Sequence, residues 1–343
     1  MENTKTVKKS KLNKAKVGDF FLSYALYIIL GIMIIGVCIA DPSFVKMSNL
    51  WKILAQASTR GIMALGVAGL IVLAGTDLSA GRVLGCGAAL SASLLQSVTY
   101  ASRMYPQITK PLPLILPLLL SIVVCVVFSA INGFGVSKLH MHAFIISLGT
   151  QLIAYGAICI YIDSQKGGTQ PLASLDKRYI DLVNSYTFGI PNLVYFYLAC
   201  AIVMWVVWNK TTLGKNMFAI GGNPEAAAVS GVNVSRNIMG VYIVAGVLYG
   251  IAAFLEAGRV QSVTTQTGLN YDLDAISGCV IGGVSFSGGV GTIPGCVIGV
   301  ILLQVINYSL YYLEVNPYLQ FIIKGLIIIV AVAIDVRKYL AKK

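Results

Sequence analysis

The stretch LPLILPLLLSIVVCVVFSAINGFGV at residues 112–136 decides the fold class of this chain. It contains no charged residue, and it is longer than the roughly 20 apolar residues that cross the hydrocarbon core of a bilayer. Of all 343 residues, 57% are hydrophobic and only 11% are charged, whereas soluble domains carry about 25% charged residues. A soluble core could not bury this much apolar surface, so the sequence predicts an integral membrane protein.

Similar apolar runs recur along the chain and predict an all-α, polytopic membrane protein with about ten transmembrane helices. We place these spans near residues 20–40, 54–74, 81–98, 112–136, 143–162, 193–209, 238–257, 273–290, 294–313 and 318–335. A single transmembrane domain would then cover 20–336, between a basic N-terminal tail at 1–19 and a basic C-terminal tail at 337–343. Within it, an outer loop at 163–192 and an inner loop at 209–237 are long enough to carry structure.

The distribution of lysine and arginine predicts the orientation, because cytoplasmic segments carry an excess of both. With both termini inside, the inner segments hold fifteen basic residues and the outer segments seven. The inner set consists of six lysines before the first span and of Arg82, Lys138, Lys210, Lys215, Arg236, Arg337, Lys338, Lys342 and Lys343. This asymmetry favours an N-in, C-in topology. The basic residues flank membrane segments without aromatic interleaving, so nucleic acid is not an expected partner.

Two glycine-rich segments form an internal pseudo-repeat, GTDLSAG at 75–81 and GVSFSGG at 283–289. The offset between them persists to Leu-Leu-Gln at 94–96 and 302–304. One interpretation is that small residues let membrane helices approach closely. The other is a pair of broken or re-entrant elements near mid-membrane, where non-helical backbone must be buried in protein or line a cavity.

Ionisable residues at membrane depth cost about 2.5–3.5 kcal/mol each on the insertion scale, so each should face a partner or a cavity. We interpret Arg82, Glu256, Arg259 and Asp274 as structural charges of this kind. Glu256 and Arg259 are three residues apart and would pair on one helical face if the helix extends that far. The alternative is a pathway for a polar, uncharged solute.

Motifs for catalysis are absent from the sequence. It has no G-x-S-x-G motif, and His140 and His142 lack the nearby cysteines or carboxylates that would complete a metal site. The phosphate loop G-x-x-x-x-G-K-[ST] is absent as well. We therefore expect no enzymatic activity and no directly bound cofactor, so a separate subunit would have to hydrolyse any ATP that drives the protein.

The inner loop contains GGNPEAAAVSGVNV at 221–234, which predicts a short helix with a defined start and end. An N-cap asparagine, a proline at the first helical position and a glutamate in the first turn favour the start. Alanines extend the helix, and a glycine ends it. A helix fixed in this way suits rigid docking in a partner's groove. Its key positions are Asn223, Pro224, Glu225, Ala226, Ala227 and Gly231.

The pattern E-A-A-x-x-x-G at 225–231 resembles the cytoplasmic motif of ABC importer permeases, and the chain resembles their ribose/xylose/galactose branch from about Phe20 onward. The resemblance is carried by GTDLSAGR at 75–82, GKNMFAIGGNPEAAAVSGVNV at 214–234, LEAGR at 255–259, LDAISGCVIGGVSFSGGVGT at 273–292 and VINYSLYYLEVNPYLQ at 305–320. One departure from the wider superfamily is that the tail I-x-L-P after the motif's glycine is absent.

The resemblance implies a multi-pass transport subunit of the bacterial cytoplasmic (inner) membrane that imports a monosaccharide, with galactose or methyl galactoside as the first expectation. It implies three protein partners in the lipid membrane: a second copy of the chain, a sugar-type ABC ATPase subunit with duplicated nucleotide-binding domains, and a periplasmic or lipid-anchored sugar-binding protein. The helix at 223–231 would couple to the ATPase. Four residues of the repeat would contribute to the translocation pathway, namely Asp77, Ser79, Ser285 and Ser287.

The sequence leaves two other functions open. Permeases for ribose, xylose or a nucleoside belong to the same branch and share these patterns. An ion-coupled secondary transporter is the alternative of a different class, because buried charges and an internal repeat are typical of it too.

Overall fold

The computed structural model describes residues 31, 34–39, 41–165 and 167–340, without the side chains of residues 331 and 334–340. The tail predicted at 1–19, most of the span predicted at 20–40, and residues 341–343 lie outside this part. Contacts divide the chain into two compact units, Leu50–Gln304 and Met1–Asn49 with Val305–Lys343. The single domain predicted over 20–336 stays a prediction.

Helices dominate the described residues. A short 3₁₀ helix, Pro42–Val45, precedes the first long helix. The helices that follow are α1 (Met47–Val72), α2 (Ala80–Leu94), α3 (Ile115–Ser137), α4 (Ala143–Asp163), α5 (Lys177–Asn184), α6 (Asn192–Lys210), α7 (Thr212–Gly222), α8 (Pro224–Val229), α9 (Val234–Val260), α10 (Tyr271–Ile281), α11 (Ile293–Tyr312) and α12 (Pro317–Leu340). Two short strands, β1 (Tyr186–Thr187) and β2 (Ile190–Pro191), form an antiparallel hairpin between α5 and α6.

Six of the described helices are long and apolar enough to cross a membrane, namely α1, α3, α4, α6, α9 and α11. The predicted span at 273–290 is wrong as a continuous helix, because α10 ends at Ile281. Eleven residues rise only about 16 Å, roughly half the hydrocarbon thickness of a bilayer. The helix ends where Gly282 is followed by Gly283, whose φ of +84° leaves the helical region.

The unit Leu50–Gln304 has α1 at its centre. Its most apolar window is 83% buried, whereas the corresponding windows of α3, α4 and α6 are only 28% buried. These outer helices expose large apolar side chains such as Leu152 and Ile202. An apolar surface this extensive is stable in lipid rather than in water, so these faces are the lipid-facing side of the unit.

Close packing between α9 and α3 depends on two glycines one helical turn apart. A Cβ built on Gly246 would lie 2.8 Å from the Cα of Val126, and one on Gly250 would lie 2.4 Å from the Cα of Ile122. Only glycine allows the two backbones to approach this closely, which is how small residues pack membrane helices. This contact positions α9 for the polar cluster described below.

The long loop predicted at 163–192 is structured, with α5 and the hairpin inside it. It is attached to the unit by a backbone pair between Leu172 and Val263, at 2.8 and 3.0 Å. The Tyr179 hydroxyl also donates to the Phe254 carbonyl in α9. We call this end of the bundle the hairpin end, and the end that carries α7 and α8 the α8 end.

The other unit is held by contacts between residues 41–49 and the second half of α11. The Tyr312 hydroxyl donates to the Asp41 carboxylate at 2.8 Å, and the Tyr308 hydroxyl donates to the Asn49 side-chain oxygen at 3.0 Å. Phe44 packs edge-on against Tyr312, with ring centroids 5.3 Å apart. These polar and aromatic contacts fix the start of α1 against α11.

Candidate functional site

The helix predicted to start at Asn223 and end at Gly231 is present as α8. Asn223 adopts an extended conformation, and its side-chain oxygen accepts a hydrogen bond from the Ala226 N–H at 2.9 Å. Pro224 occupies the first turn, where its missing N–H costs nothing. Glu225 follows it, close to the positive end of the helix dipole. The start of α8 is therefore fixed by its own local sequence.

The end of α8 is fixed by Gly231, whose φ of +85° is left-handed. Its N–H donates to the Ala228 carbonyl at 3.0 Å, and the Val232 N–H donates to the Ala227 carbonyl at 3.1 Å. These two bonds form a Schellman motif, in which glycine avoids the strain that a Cβ would meet. Both ends of this short helix are thus rigid.

Most of the α8 surface is open. Ala227 is buried and attaches the helix to the unit, whereas Asn223, Pro224, Glu225 and Ala226 are exposed. Val229 is 91% exposed. A rigid helix that presents an apolar side chain away from the bundle can seat in a groove of another protein.

The preceding helix, α7, touches the end of α1 and the second copy of the repeat through backbone atoms. A Cβ built on Gly221 would lie 1.8 Å from the Val72 carbonyl oxygen, and one on Gly288 would lie 2.4 Å from the Gly221 carbonyl oxygen. The Gly289 N–H donates to the same Val72 oxygen at 2.8 Å. We call Val72, Gly221, Gly288 and Gly289 the glycine contact. The atoms that touch are backbone atoms, so a displacement of α7 would be transmitted directly to α1 and to the second copy of the repeat.

The first copy of the repeat breaks the chain between α1 and α2, and Asp77 organises the break. Its carboxylate accepts hydrogen bonds from the Ser79 N–H at 2.9 Å, from the Ser79 hydroxyl at 2.6 Å and from the Tyr249 hydroxyl at 3.1 Å. The Asn132 side-chain amide donates to the Ser79 hydroxyl at 2.9 Å and accepts from the Thr150 hydroxyl at 2.6 Å. The cluster joins α3, α4 and α9 to the break.

Asp77 and Ser79 have no exposed surface in this conformation. Their contacts are of the kind that make a buried carboxylate tolerable, since each oxygen has a donor. The pathway role predicted for these two residues stays a prediction, and in this conformation protein encloses both side chains.

Ser285 and Ser287 lie in the second copy of the repeat, in a tight turn between α10 and α11. The Ser285 N–H donates to the Val290 carbonyl at 3.0 Å, and the Ser287 N–H donates to the Ser285 hydroxyl at 3.2 Å. Ser285 is buried and Ser287 is half-buried. The turn adjoins the glycine contact, and the pathway role of both serines also stays a prediction.

Glu256 is the centre of a second buried cluster. It forms the ion pair suggested by its spacing from Arg259, whose guanidinium donates to both carboxylate oxygens at 2.7 and 2.8 Å. The Tyr271 and Thr59 hydroxyls each donate to Glu256 at 2.7 Å. Glu256 has no exposed surface, so these contacts replace the water that its charge has lost.

Arg60, which follows Thr59 in α1, extends this cluster to one more helix, α11. Its guanidinium lies 3.2 Å from the Asp274 carboxylate, donates to the Gln304 side-chain oxygen at 2.9 Å and stacks 4.6 Å from the centre of the Tyr271 ring. We call the whole set the Glu256 cluster. It consists of Thr59, Arg60, Glu256, Arg259, Tyr271, Asp274 and Gln304. No sequence pattern identified Thr59, Tyr271 and Gln304 as hydrogen-bond partners of these charged groups, because uncharged residues are common in helices.

Arg82 was counted with the inner loops, and this placement is wrong, because Arg82 lies in the first turn of α2 and is buried. Its guanidinium donates to the Thr265 carbonyl at 3.0 Å and lies 4.4 Å from the centre of the Tyr155 ring. These contacts connect α2 to α4 and to the segment between α9 and α10. Among the described residues, no group of three or more His, Cys, Asp or Glu could hold a metal ion.

Comparison with known proteins identifies the family of this chain. The profile of a family described as branched-chain amino acid transport system / permease component matches residues 49–332. The galactose/methyl galactoside import permease proteins MglC of Escherichia coli and Haemophilus influenzae are each 45% identical to this chain, over 97% of it and 100% of their own length. No solved structure matches the chain.

A more distant relative supports the same assignment. The ribose import permease protein RbsC of Haemophilus influenzae is 31% identical, over 98% of this chain and 99% of its own length. The family profile and these relatives cover nearly all of the sequence, including the α8 motif and both copies of the repeat. The chain therefore belongs to the family of branched-chain amino acid transport system permease components.

Proposed function

We propose that this chain is the membrane-spanning subunit of an ATP-driven importer that carries galactose and methyl galactosides across the bacterial cytoplasmic membrane. The observation that carries the proposal is its 45% identity to two galactose/methyl galactoside import permeases over their whole length. A second copy of the chain, a sugar-type ATPase and a sugar-binding protein complete the importer. The chain crosses the membrane about ten times, once through residues 261–270 together with the half-length helix α10, and both termini and the α8 end lie on the cytoplasmic side.

The geometry of the α8 end supports a coupling mechanism. In this proposal α8 seats in a groove of the ATPase, with the exposed Val229 side chain in contact with it. ATP binding moves the docked helix as a rigid body. Because α7 reaches α1 and the repeat turn through the glycine contact, this movement shifts the end of α1 and changes access to the pathway.

Uptake measurements test the proposed substrate. We expect proteoliposomes that contain the permease, its ATPase and its binding protein to accumulate radiolabelled galactose only when ATP is present. Methyl galactoside should compete with the label. Uptake without the ATPase, driven by a proton or sodium gradient, would instead establish an ion-coupled secondary transporter.

Ribose is the second candidate substrate, favoured by the 31% identity to a ribose import permease over almost its full length. The same proteoliposomes distinguish the two sugars when each is offered with its own binding protein. Ribose uptake without galactose uptake would overturn the galactose assignment and leave the importer class intact.

Replacing the exposed apolar residue of α8 tests its docking role. We expect Val229→Asp to weaken binding of the ATPase by about tenfold or more, because a charge would be buried in an apolar groove. Pull-down of the ATPase by the purified permease measures the effect. Phe188→Asp is the matched control, since it adds the same charge at Phe188, which is 96% exposed at the hairpin end, beyond the far end of α6. Equal binding by the two variants would contradict the docking role of α8.

A further inference from the structure

The segment between α9 and α10, QSVTTQTGLN at 261–270, is non-helical and rich in hydroxyl and amide side chains. It begins at the hairpin end, where Val263 pairs with Leu172. It ends at Asn270, which has a left-handed φ of 61° and precedes the first residue of α10. A chain that crosses the membrane as one continuous helix would have no such segment. α10 therefore starts only after this segment, at Tyr271.

The depth of the segment follows from its contacts with α2. Cys125 lies near the middle of α3, and its thiol donates to the Val83 carbonyl at 3.4 Å, so Val83 is about halfway across the bundle. Gly81 stands two residues before Val83. A Cβ built on Gly268 would lie 1.9 Å from the Gly81 carbonyl oxygen. The backbone of Gly268 is therefore packed against α2 close to mid-depth.

One side of the segment is buried and firmly held. Val263 and Gly268 are buried, and the Arg82 guanidinium donates to the Thr265 carbonyl at 3.0 Å. The hydroxyls of Thr264 and Thr267 accept hydrogen bonds from backbone N–H groups within the segment, at 3.2 and 2.9 Å. These contacts replace the hydrogen bonds that a helix would have made.

The other side of the segment is open. Gln266 is exposed, Leu269 is 42% exposed, and Thr265 and Asn270 are half-buried. Lipid cannot cover this side, because hydrocarbon offers no hydrogen bonds to non-helical backbone or to amide groups at this depth. Water or a polar solute must therefore reach it, or another protein surface must cover it.

We propose that residues 264–270 line the sugar pathway at mid-depth, and that Gln266 and Asn270 hydrogen-bond the hydroxyl groups of a monosaccharide in transit. The inference rests on the proposed import function. Both amides offer donors and acceptors without charge, which suits a neutral, hydroxyl-rich solute. A few uncharged contacts bind weakly enough to release the sugar, as conduction through a pathway requires.

Thiol labelling tests the open side directly. Gln266→Cys is compared with Leu152→Cys, a control near the middle of α4 on the lipid-facing side, where Leu152 is 67% exposed. We expect a charged, water-soluble methanethiosulfonate reagent to modify Gln266→Cys at least about tenfold faster, because thiolates form in water and not in hydrocarbon. Galactose with its binding protein and ATP should slow this labelling, and modification should block uptake. Wild-type protein corrects for the native cysteines.

The remaining outcomes separate this inference from the proposed function. Labelling no faster than in the control, uptake that survives full modification, or a spontaneous disulfide between Gln266→Cys residues of two copies would overturn the pathway assignment. Failure of the wild-type complex to take up galactose would overturn the proposed function instead, and labelling measured without sugar would still decide whether the segment is open to water.

A conservative change tests the hydrogen bond itself. Gln266→Leu keeps the side-chain size but removes its donors and acceptor, so we expect the KM for galactose uptake to rise about fivefold, as for one lost hydrogen bond. Gln266→Glu keeps an acceptor, so its KM for galactose uptake should lie between those of the wild-type protein and Gln266→Leu. An unchanged KM in Gln266→Leu would rule out the proposed hydrogen bond between Gln266 and the sugar.

Discussion

Replacing Gly221 by alanine is expected to reduce galactose uptake by about tenfold or more, because the added methyl group has no space at the glycine contact. Its Cβ would lie 1.8 Å from the Val72 carbonyl oxygen and 2.7 Å from the Gly289 nitrogen, whereas real Cβ contacts are essentially never below 3.0 Å. Both neighbours are backbone atoms, so relief requires α7 to move away from α1. Overpacking of this kind costs about 1–3 kcal/mol where the structure can shift.

The adjacent glycine provides the matched control for this prediction. A Cβ on Gly222 would meet nothing within 4 Å, so Gly222→Ala adds the same methyl group to the same helix without a clash. We expect Gly222→Ala to keep wild-type uptake and sugar-stimulated ATP hydrolysis. We expect Gly221→Ala to lose both by about tenfold or more while its α8 still binds the ATPase. Equal uptake by the two alanine variants would exclude the glycine contact from coupling.

Replacing Glu256 by glutamine is expected to destabilise the protein strongly, because it breaks a buried ion pair. Glu256 has no exposed surface and accepts hydrogen bonds from Arg259, Tyr271 and Thr59. Glutamine keeps the shape but leaves the Arg259 guanidinium without its counter-charge. Breaking a buried pair in this way costs about 3–5 kcal/mol. The melting temperature of the purified protein in detergent should fall accordingly.

The same chemical change at the protein surface serves as the control. Asp176 forms an ion pair with the exposed Arg178 at 2.7 Å. Hydrogen bonding from Arg178 lowers the pKa of Asp176, so Asp176→Asn also removes a full charge at neutral pH. We expect it to cost at most about 1 kcal/mol, as for exposed pairs. Its amide oxygen would still cap α5.

A double variant separates the lost charge from the lost shape. Glu256→Gln combined with Arg259→Met removes both charges of the pair, so the half-buried Arg259 guanidinium is not left without its counter-charge. We expect this variant to recover a substantial part of the melting temperature lost in Glu256→Gln. A double variant less stable than Glu256→Gln would mean that the shape of the Arg259 side chain, and not its charge, dominates the Glu256 cluster.

Features that depend on neighbouring residues were predictable from the sequence. Asn223, Pro224 and Gly231 act within one or two helical turns, so the start and end of α8 followed from their order in the chain. The interior of α3 followed from its unbroken apolar run in the same way. The family was recognisable too, because its motifs are also continuous stretches of the chain.

The partners of the buried groups could not be predicted from the sequence. Asp77 meets Tyr249 and Glu256 meets Thr59, pairs separated by 172 and 197 residues. No local pattern selects such partners, since many hydroxyls along the chain are chemically equivalent. The helix expected at 273–290 failed for a related reason. Its apolar composition suits a full span, but α10 ends at Ile281, where Gly283 has a left-handed φ and the chain enters the turn that packs against Val72 and Gly221.

The sequence by itself determined that the protein spans a membrane, that it carries a short capped helix at 223–231, and which family it belongs to. Composition and short-range capping require no knowledge of the fold. Only the tertiary structure decided that Gly221 touches Val72, that the Glu256 cluster joins four helices, and that residues 264–270 present polar groups at mid-depth. Each of these depends on backbones that approach within a few ångströms across long separations in the chain, and packing alone determines such approaches.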